Sequence, residues 1–394
     1  MKQEFSVETS YEDFPAIFWT PKFHKNPIKF RPIAGSRGKI LSPLEQIVGK
    51  LLKHISSHFE NYCRAAERQT SFRHYFVIKN SGDLLGTLCK LKGKARTFDS
   101  FDFCNLYTNF RHGEIMERKG WLIDLMINHA KIVFISVNKS YTKVEYTDTP
   151  YDLNVGWSFS ADKFKDAVSF LIHNTYIEFG SFFLRQINGI PMGSIPAPDI
   201  ANLCLSVDEF RFVKSCLKNK DFTLLRKLNE VARYLDDIGS PNFPDFDCLT
   251  SLIYSDSLTL TCSNEEGNTV NVAYLDLSIS VIGSDYVVKV YCKTDDYSFE
   301  VICLPFLESN VAMEMCYYVY FGQILRFLRI CTRLEDFKNR CIFLTNMLQR
   351  RGYDNGRLAK KFLDVVYRYR RECLKFGQFC MVRGIMQEIV YGIH

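Results

Sequence analysis

The chain has 394 residues, 47% of them apolar and 24% charged, with a formal net charge of +6. That is enough chain for one multi-lobed enzyme or two to three subdomains, and the composition excludes a disordered polypeptide. No uncharged apolar run approaches the ~20 residues of a membrane span, and the small net charge does not by itself demand a nucleic-acid partner.

In chain order, residues 1–17 read as a short acidic arm, and residues 18–41 as a basic loop in which Pro21, Pro27 and Pro32 forbid a continuous helix. Ser42-Pro43-Leu44-Glu45 reads as a capping box opening a helix with Ile47, Val48, Leu51, Leu52 and Ile55 on one side. Residues 70–110 suggest strand, turn and strand, ending at Asp102. Glu114 to His129 has helical spacing, residues 131–160 suggest a surface hairpin, and residues 161–178 a further amphipathic helix. A glycine-proline loop from Gly189 then leads into a helix over about Pro198 to Leu217. Gly189 and Gly193 would let a ligand approach the backbone closely, and the helix start would offer free N–H groups. Two alternating strands surround Gly283-Ser284-Asp285, and from about 305 onward the pattern is helical. There Leu325, Leu328, Cys331 and Leu334 form an apolar stripe with Arg326, Arg329 and Arg333 beside it, which suits a duplex-holding helical lobe and an ordinary bundle equally.

The chemistry concentrates at Tyr234-Leu235-Asp236-Asp237, between an apolar flank and Ile238-Gly239-Ser240-Pro241. This reads as a strand, a tight turn and a strand leaving it. Neighbouring carboxylates repel, so they imply either a bound divalent cation or a solvated turn. A second acidic segment holds Asp99 and Asp102. Asp102 is preferred as the partner carboxylate, because its neighbours Phe101 and Phe103 suit a buried strand. Carboxylates from two separate elements are what a two-metal phosphoryl-transfer site requires. Tyr107 would stack under a sugar or serve as a core tyrosine. Lys22, Lys25, Lys29, Arg31, Arg37 and Lys39 make one basic segment, and residues 350–371 another. Basic walls around an acidic centre fit a nucleic-acid cleft, although such runs are also ordinary solvated faces. The 14 cysteines include no Cys-x-x-Cys pair and no zinc-like spacing. Cys204 and Cys316 read as small core residues. With no signal peptide, an intracellular, reducing compartment is expected, the nucleus before the cytoplasm.

At this point the motifs resemble those of reverse transcriptases, most closely those of Penelope-like retroelements, relatives of the telomerase catalytic subunit. Phe101-Asp102-Phe103-x-x-Leu106-Tyr107-Thr108-Asn109 resembles the family's first catalytic-aspartate motif, and Gly189-Ile190-Pro191-Met192-Gly193-Ser194, running into Ala201-Asn202-Leu203, its glycine-rich motif. Arg233 to Asp237 resembles the catalytic turn, Pro21 to Lys25 with Arg31-Pro32-Ile33 the basic fingers motif, and Ala273 to Leu277 with Val290 to Lys293 the segments after the palm. Arg329-Ile330-Cys331 and Arg351-Gly352-Tyr353 resemble the thumb. The set spans about residues 18 to 360 in the family's order.

The resemblance implies an α+β right-hand polymerase with an antiparallel palm sheet backed by helices and a helical thumb. It places an N-terminal arm and fingers at 1–95, the palm at 96–130 and 186–295 around a connecting region at 131–185, and the thumb at 296–394. It implies an RNA-directed DNA polymerase that extends a primer 3′-hydroxyl with dNTPs on an RNA or DNA template. Two Mg²⁺ ions, or Mn²⁺ in their place, would be held by Asp102 and Asp236, with Asp237 as an additional carboxylate. Arg31, helped by Lys22 or Lys25, would grip the triphosphate. Tyr107, Met192 and Gly193 would meet the nucleotide, with Tyr107 excluding a 2′-hydroxyl. Gly189, Ser194, Arg329, Arg351, Arg368, Arg370 and Arg371 would follow the nucleic acid. The family usually has a lysine where Thr259 stands, which keeps open a non-catalytic nucleic-acid-binding protein; an RNA-dependent RNA polymerase is the other alternative, and Tyr107 argues against it. The segment after Arg371 is too short for a nuclease core, so the chain is expected to depend on pre-existing ends, such as nicks or chromosome termini, or on a separate nuclease.

Overall fold

The computed structural model describes residues 14–23, 27–35, 40–262, 271–297, 299, 301–377 and 379–392. They fall into two compact units, the first made of Met1–Val77, Phe101–Ile238 and Asp245–Cys262, the second of Ile78–Ser100, Gly239–Pro244 and Ser263–His394.

The three prolines of the basic loop leave room for an antiparallel hairpin, β1 (Ile17–Lys22) and β2 (Lys29–Ala34), in which Thr20 faces Arg31 and Lys22 faces Lys29. The helix that follows, α1 (Ser42–Thr70), buries Ile47, Val48, Leu51, Leu52, Ile55 and Phe59, each contributing roughly 1.5–3 kcal/mol of hydrophobic burial. Its start corrects the expected capping box. Leu41 is the cap residue without a side-chain bond, and buried Glu45 accepts from Ser194 Oγ (2.7 Å) and the Ile195 amide (3.2 Å). Tertiary partners thus claim the carboxylate that local pattern assigns to the helix.

A second correction follows. Where a strand is expected, Ser81–Lys90 forms helix α2, opened by a capping box on Asn80 and Asp83. Strand β3 (Phe98–Phe103) leads into a single turn, α3 (Leu106–Asn109), and then α4 (His112–Ala130). Residues 131–160 make a three-stranded sheet instead of a hairpin, with β4 (Phe134–Asn138) central between β5 (Val144–Thr147) and β6 (Gly156–Phe159). Helix α5 (Ala161–His173) stops short of the expected end, because β7 (Tyr176–Phe179) and β8 (Phe182–Arg185) form another hairpin. Helix α6 (Ala197–Lys218) is buried along most of its length. After α7 (Phe222–Leu228) come β9 (Ala232–Tyr234), β10 (Asp237–Pro241), the short α8 (Thr250–Ile253) and β11 (Leu260–Cys262). The four-stranded sheet that positions the aspartates has the order β11-β3-β10-β9.

In the second unit, β12 (Val272–Tyr274), β13 (Leu277–Ile282) and β14 (Asp285–Val290) form an antiparallel sheet, the last two paired as the sequence suggests. Helices α9 (Met313–Ile330), α10 (Leu334–Gln349), α11 (Asn355–Arg368) and the short α12 (Arg370–Cys373) follow. The buried face of α9 is Cys316, Tyr317, Tyr320, Ile324, Phe327 and Leu328. Leu325 and Leu334 are only half-buried, which shifts the apolar stripe from its expected place. No helix among the described residues is long and apolar enough to cross a membrane.

Candidate active site

The Tyr234–Asp237 segment is a two-residue turn between β9 and β10, with Leu235 at φ 54°. A left-handed leucine is costly and persists only where its surroundings fix it. Arg233 does the fixing. Its guanidinium is fully buried and donates from Nη1 to the Leu235 carbonyl (3.0 Å) and to Asn202 Oδ1 (2.7 Å). It also pairs with both oxygens of Glu209, at 2.5 and 3.1 Å, and reaches Ser206 Oγ at 3.0 Å. The Tyr254 hydroxyl donates to Glu209 Oε1 (2.9 Å), and burial and the carboxylate push its phenol far above the usual range. Sequence reading noted Arg233 and Asn202 only as motif letters and missed this network. Its trace was visible, because Asn202, Ser206 and Glu209 fall at i, i+4 and i+7, on one face of a helix.

Asp102 is exposed between buried Phe101 and Phe103. Strand alternation puts Asp99, three residues earlier, on the opposite face, which separates the two candidates. Asp102 lies opposite Thr261 of β11, and on its other side the Phe103 amide donates to the Asp236 carbonyl (3.3 Å). Asp102 therefore sits on the strand beside the turn that carries Asp236. Thr259 is exposed, and its carbonyl accepts from the Cys104 amide (2.9 Å). Two residues from Thr261, it shares the face that Asp102 presents.

Tyr107 is half-buried in α3. Its phenol is pushed up to about 12, first by burial and then by the charge of Asp236, while Arg31 pulls the other way. The shift places Asp236 and Arg31 each within electrostatic reach of Tyr107. Arg31 is exposed on β2, Lys22 is half-buried, and Lys25 lies outside the described residues.

The glycine loop differs from its expected use. At Gly189 (φ +79°) a Cβ would lie 2.6 Å from the Tyr107 carbonyl, and at Gly193 (φ +113°) 2.1 Å from the Ala34 carbonyl. The close approach is to the protein's own backbone. The Gly189 amide donates to Phe110 O (2.7 Å), the Ile190 amide to Tyr107 O (2.6 Å) and the Ala34 amide to Met192 O (2.9 Å). Ser194 is buried, and its hydroxyl donates to Glu45. Replacing Gly193 with alanine should destabilise the first unit by about 2 kcal/mol or more, since strain and collision coincide. A denaturant midpoint unchanged from wild type would contradict this packing.

Beneath the loop, Lys119 is almost completely buried and donates from Nζ to the Asp199 carbonyl (3.3 Å). Burial lowers its titration to about 8. No sequence signal marked this lysine, which lies in an ordinary helical pattern.

In the second unit the basic residues separate. Arg351 is 4% exposed, donates to the Leu304 carbonyl (2.7 Å) and stacks on Phe306, which ties it to a loop. Arg329 is exposed, pairs with Glu372 (3.1 Å) and covers Tyr369. Arg368 is exposed over Phe321, and Arg370 and Arg371 are exposed on α12. Neutralising Arg370 and Arg371 should flatten the salt dependence of duplex binding by roughly 0.9 per lost phosphate contact. An identical slope would place both outside the nucleic-acid path.

The donor set of Asp102, Asp236 and Asp237 is all carboxylate, suited to a hard cation such as Mg²⁺. Among the described residues no three histidine, cysteine or acidic side chains form a metal-holding group. Mg²⁺ commonly takes one or two carboxylates and completes its shell with water and substrate phosphate, so the residues fit a partial shell.

No family model matches the sequence, and no curated protein matches it with significance. The fold superposes on telomerase from Candida albicans, solved with a fragment of telomeric RNA, at a TM-score of 0.62 and 10% identity. The chain has a telomerase-like fold. That alignment covers 96% of this chain and 64% of the Candida albicans chain, so the present sequence spans less than two thirds of that telomerase. Apo telomerase from Candida tropicalis aligns with a TM-score of 0.48 and 14% identity, over 98% of this chain and 66% of the other.

Proposed function

We propose that the protein is a reverse transcriptase of the Penelope-like kind, an RNA-directed DNA polymerase. The observation that carries the reading is the Asp102 strand paired beside the Asp236-Asp237 turn within a telomerase-like fold. In this reading the β1–β2 hairpin belongs to the fingers, the β11-β3-β10-β9 sheet is the palm, and the helices from α9 onward form the thumb.

Asp102 and Asp236 would hold two Mg²⁺ ions, with Asp237 beside them. The ions, when bound, activate the primer hydroxyl and neutralise charge on the triphosphate. Arg31 would clamp the triphosphate, its planar fork matching phosphate geometry. Tyr107 feels the charges of both Asp236 and Arg31, and in this reading it would meet the sugar of the nucleotide they hold. A tyrosine phenol is neutral at physiological pH, so Tyr107 would act by shape and hydrogen bonding. The glycine loop holds Tyr107 and β2 in place through backbone bonds.

Thr259, on the aspartate face where relatives usually carry lysine, favours a second reading in which the fold binds nucleic acid without polymerising. Primer extension on RNA and DNA templates, with deoxynucleotides and ribonucleotides, separates the readings. Extension on RNA with dNTPs is expected. Tight template-primer binding with no extension under any condition would select the non-catalytic reading. Tyr107→Ala should raise ribonucleotide use relative to deoxynucleotide by on the order of tenfold to a hundredfold, the scale on which a pocket rejects one extra hydroxyl. Unchanged discrimination in single-nucleotide kinetics would return Tyr107 to the core.

A further inference from the structure

The second unit holds a cavity of about 880 Å³ lined by described residues from Cys292 to Tyr297 and Val301 to Leu304, with Phe299, and by helices α9 and α10 and Arg350. Its residues belong wholly to that unit, whereas Asp102, Asp236 and Asp237 belong to the first. The volume falls in the range of small-molecule sites.

The walls combine two chemistries. Arg326, Arg340 and Arg350 supply guanidinium groups, and Tyr297, Phe327 and Phe343 supply aromatic faces. Arg340 lies against Phe327 (5.7 Å) and Phe343 (5.0 Å), and its Nη1 and Nη2 donate to the two oxygens of Asp295 (2.7 and 3.5 Å). Its Nε is buried and has no hydrogen-bond partner among the described residues. Arg326 pairs with Asp276 (2.8 Å). Arg350 is exposed and makes no ion pair among the described residues. Among the described lining residues three guanidiniums stand against one carboxylate, Asp295, with Asp276 outside the lining paired to Arg326, so these groups leave an excess of positive charge. Phe343 is 54% exposed, and Tyr297 stacks on Phe299 at 5.2 Å.

We infer that this cavity binds a nucleotide, the planar base against Tyr297 and Phe343 and the phosphate on Arg350. Guanidinium forks match phosphate, and aromatic faces take any base. An acidic peptide would satisfy the charges but leave the flat aromatic faces unmatched. The ligand is either a free mononucleotide or a single unstacked nucleotide of a nucleic-acid chain. The site does not depend on polymerase activity.

The test uses the full chain carrying Asp236→Ala, in EDTA, so that metal-dependent nucleotide binding is removed. The probes are 8-azido-AMP and a short oligoadenylate with one internal 8-azidoadenosine, photo-crosslinked and mapped by mass spectrometry. Crosslinks in residues 292–304 or 323–350 are expected, saturable, and displaced by AMP far better than by adenosine. Phe343→Ala and Arg350→Gln, both exposed positions, should each weaken half-saturation at least tenfold while circular dichroism stays unchanged. Crosslinking by the mononucleotide alone assigns a free ligand, and by the oligonucleotide alone a chain-borne one. Absence of crosslinks there from both probes would overturn the inference. So would equal displacement by adenosine, insensitivity to both substitutions, or displacement by a glutamate-rich peptide but not by AMP.

Discussion

Asp236→Ala is expected to abolish primer extension while leaving template-primer binding near the wild-type level. The side chain extends from a turn whose backbone is held independently, by the Phe103 amide on the Asp236 carbonyl and by Arg233 on the Leu235 carbonyl. Truncation therefore removes charge without removing a structural bond. If Asp236 holds a metal, several kcal/mol of transition-state stabilisation disappear, a rate loss of roughly 10³-fold or more. Relief of repulsion with Asp237 should leave thermal stability equal or higher. Single-nucleotide extension kinetics and a thermal melt check both halves. Wild-type-like extension would remove the two-metal reading altogether.

Glu209→Ala should produce the largest loss of stability, about 3–5 kcal/mol, because it strands the fully buried Arg233 charge. Tyr254 loses its acceptor in the same step. A chemical denaturation series measures the change, and a loss below about 1 kcal/mol would mean that the pair is solvated or replaceable. The double substitution Glu209→Leu with Arg233→Met should recover much of the stability, since an apolar pair of similar size often replaces a buried ion pair without penalty. Extension should remain slow in that double variant, because the Leu235 carbonyl has still lost its donor. Stability and turn positioning are thereby separated.

What the sequence made legible was local. The Tyr234–Asp237 hairpin announced itself through its flanks, α1 through its apolar spacing, and β13–β14 through alternation around Gly283. Helix α2 was misread because Leu84 and Leu88 sit in a mixed apolar stretch, and the Asn80 and Asp83 pair that caps it was overlooked. The Ser42–Glu45 box failed for the opposite reason. Its letters were right, but Glu45 found better partners 149 and 150 residues away. Arg351 and Arg371 are both arginines in one basic run, and only packing distinguishes a loop anchor from a surface cation. The roles of Gly189 and Gly193 were also invisible in one dimension, since what they approach is Tyr107 and Ala34, distant in the chain.

That loop has a kinetic implication. Its backbone ties β2, which carries Arg31, to α3, which carries Tyr107, through bonds within four residues, Gly189 to Met192. If those side chains hold the triphosphate and read the sugar, affinity and selectivity share a single mechanical support. Loop variants should then change the Michaelis constant and the deoxy-to-ribo preference together, and a double-mutant cycle between Arg31 and Tyr107 should show coupling that vanishes when Gly193 is replaced.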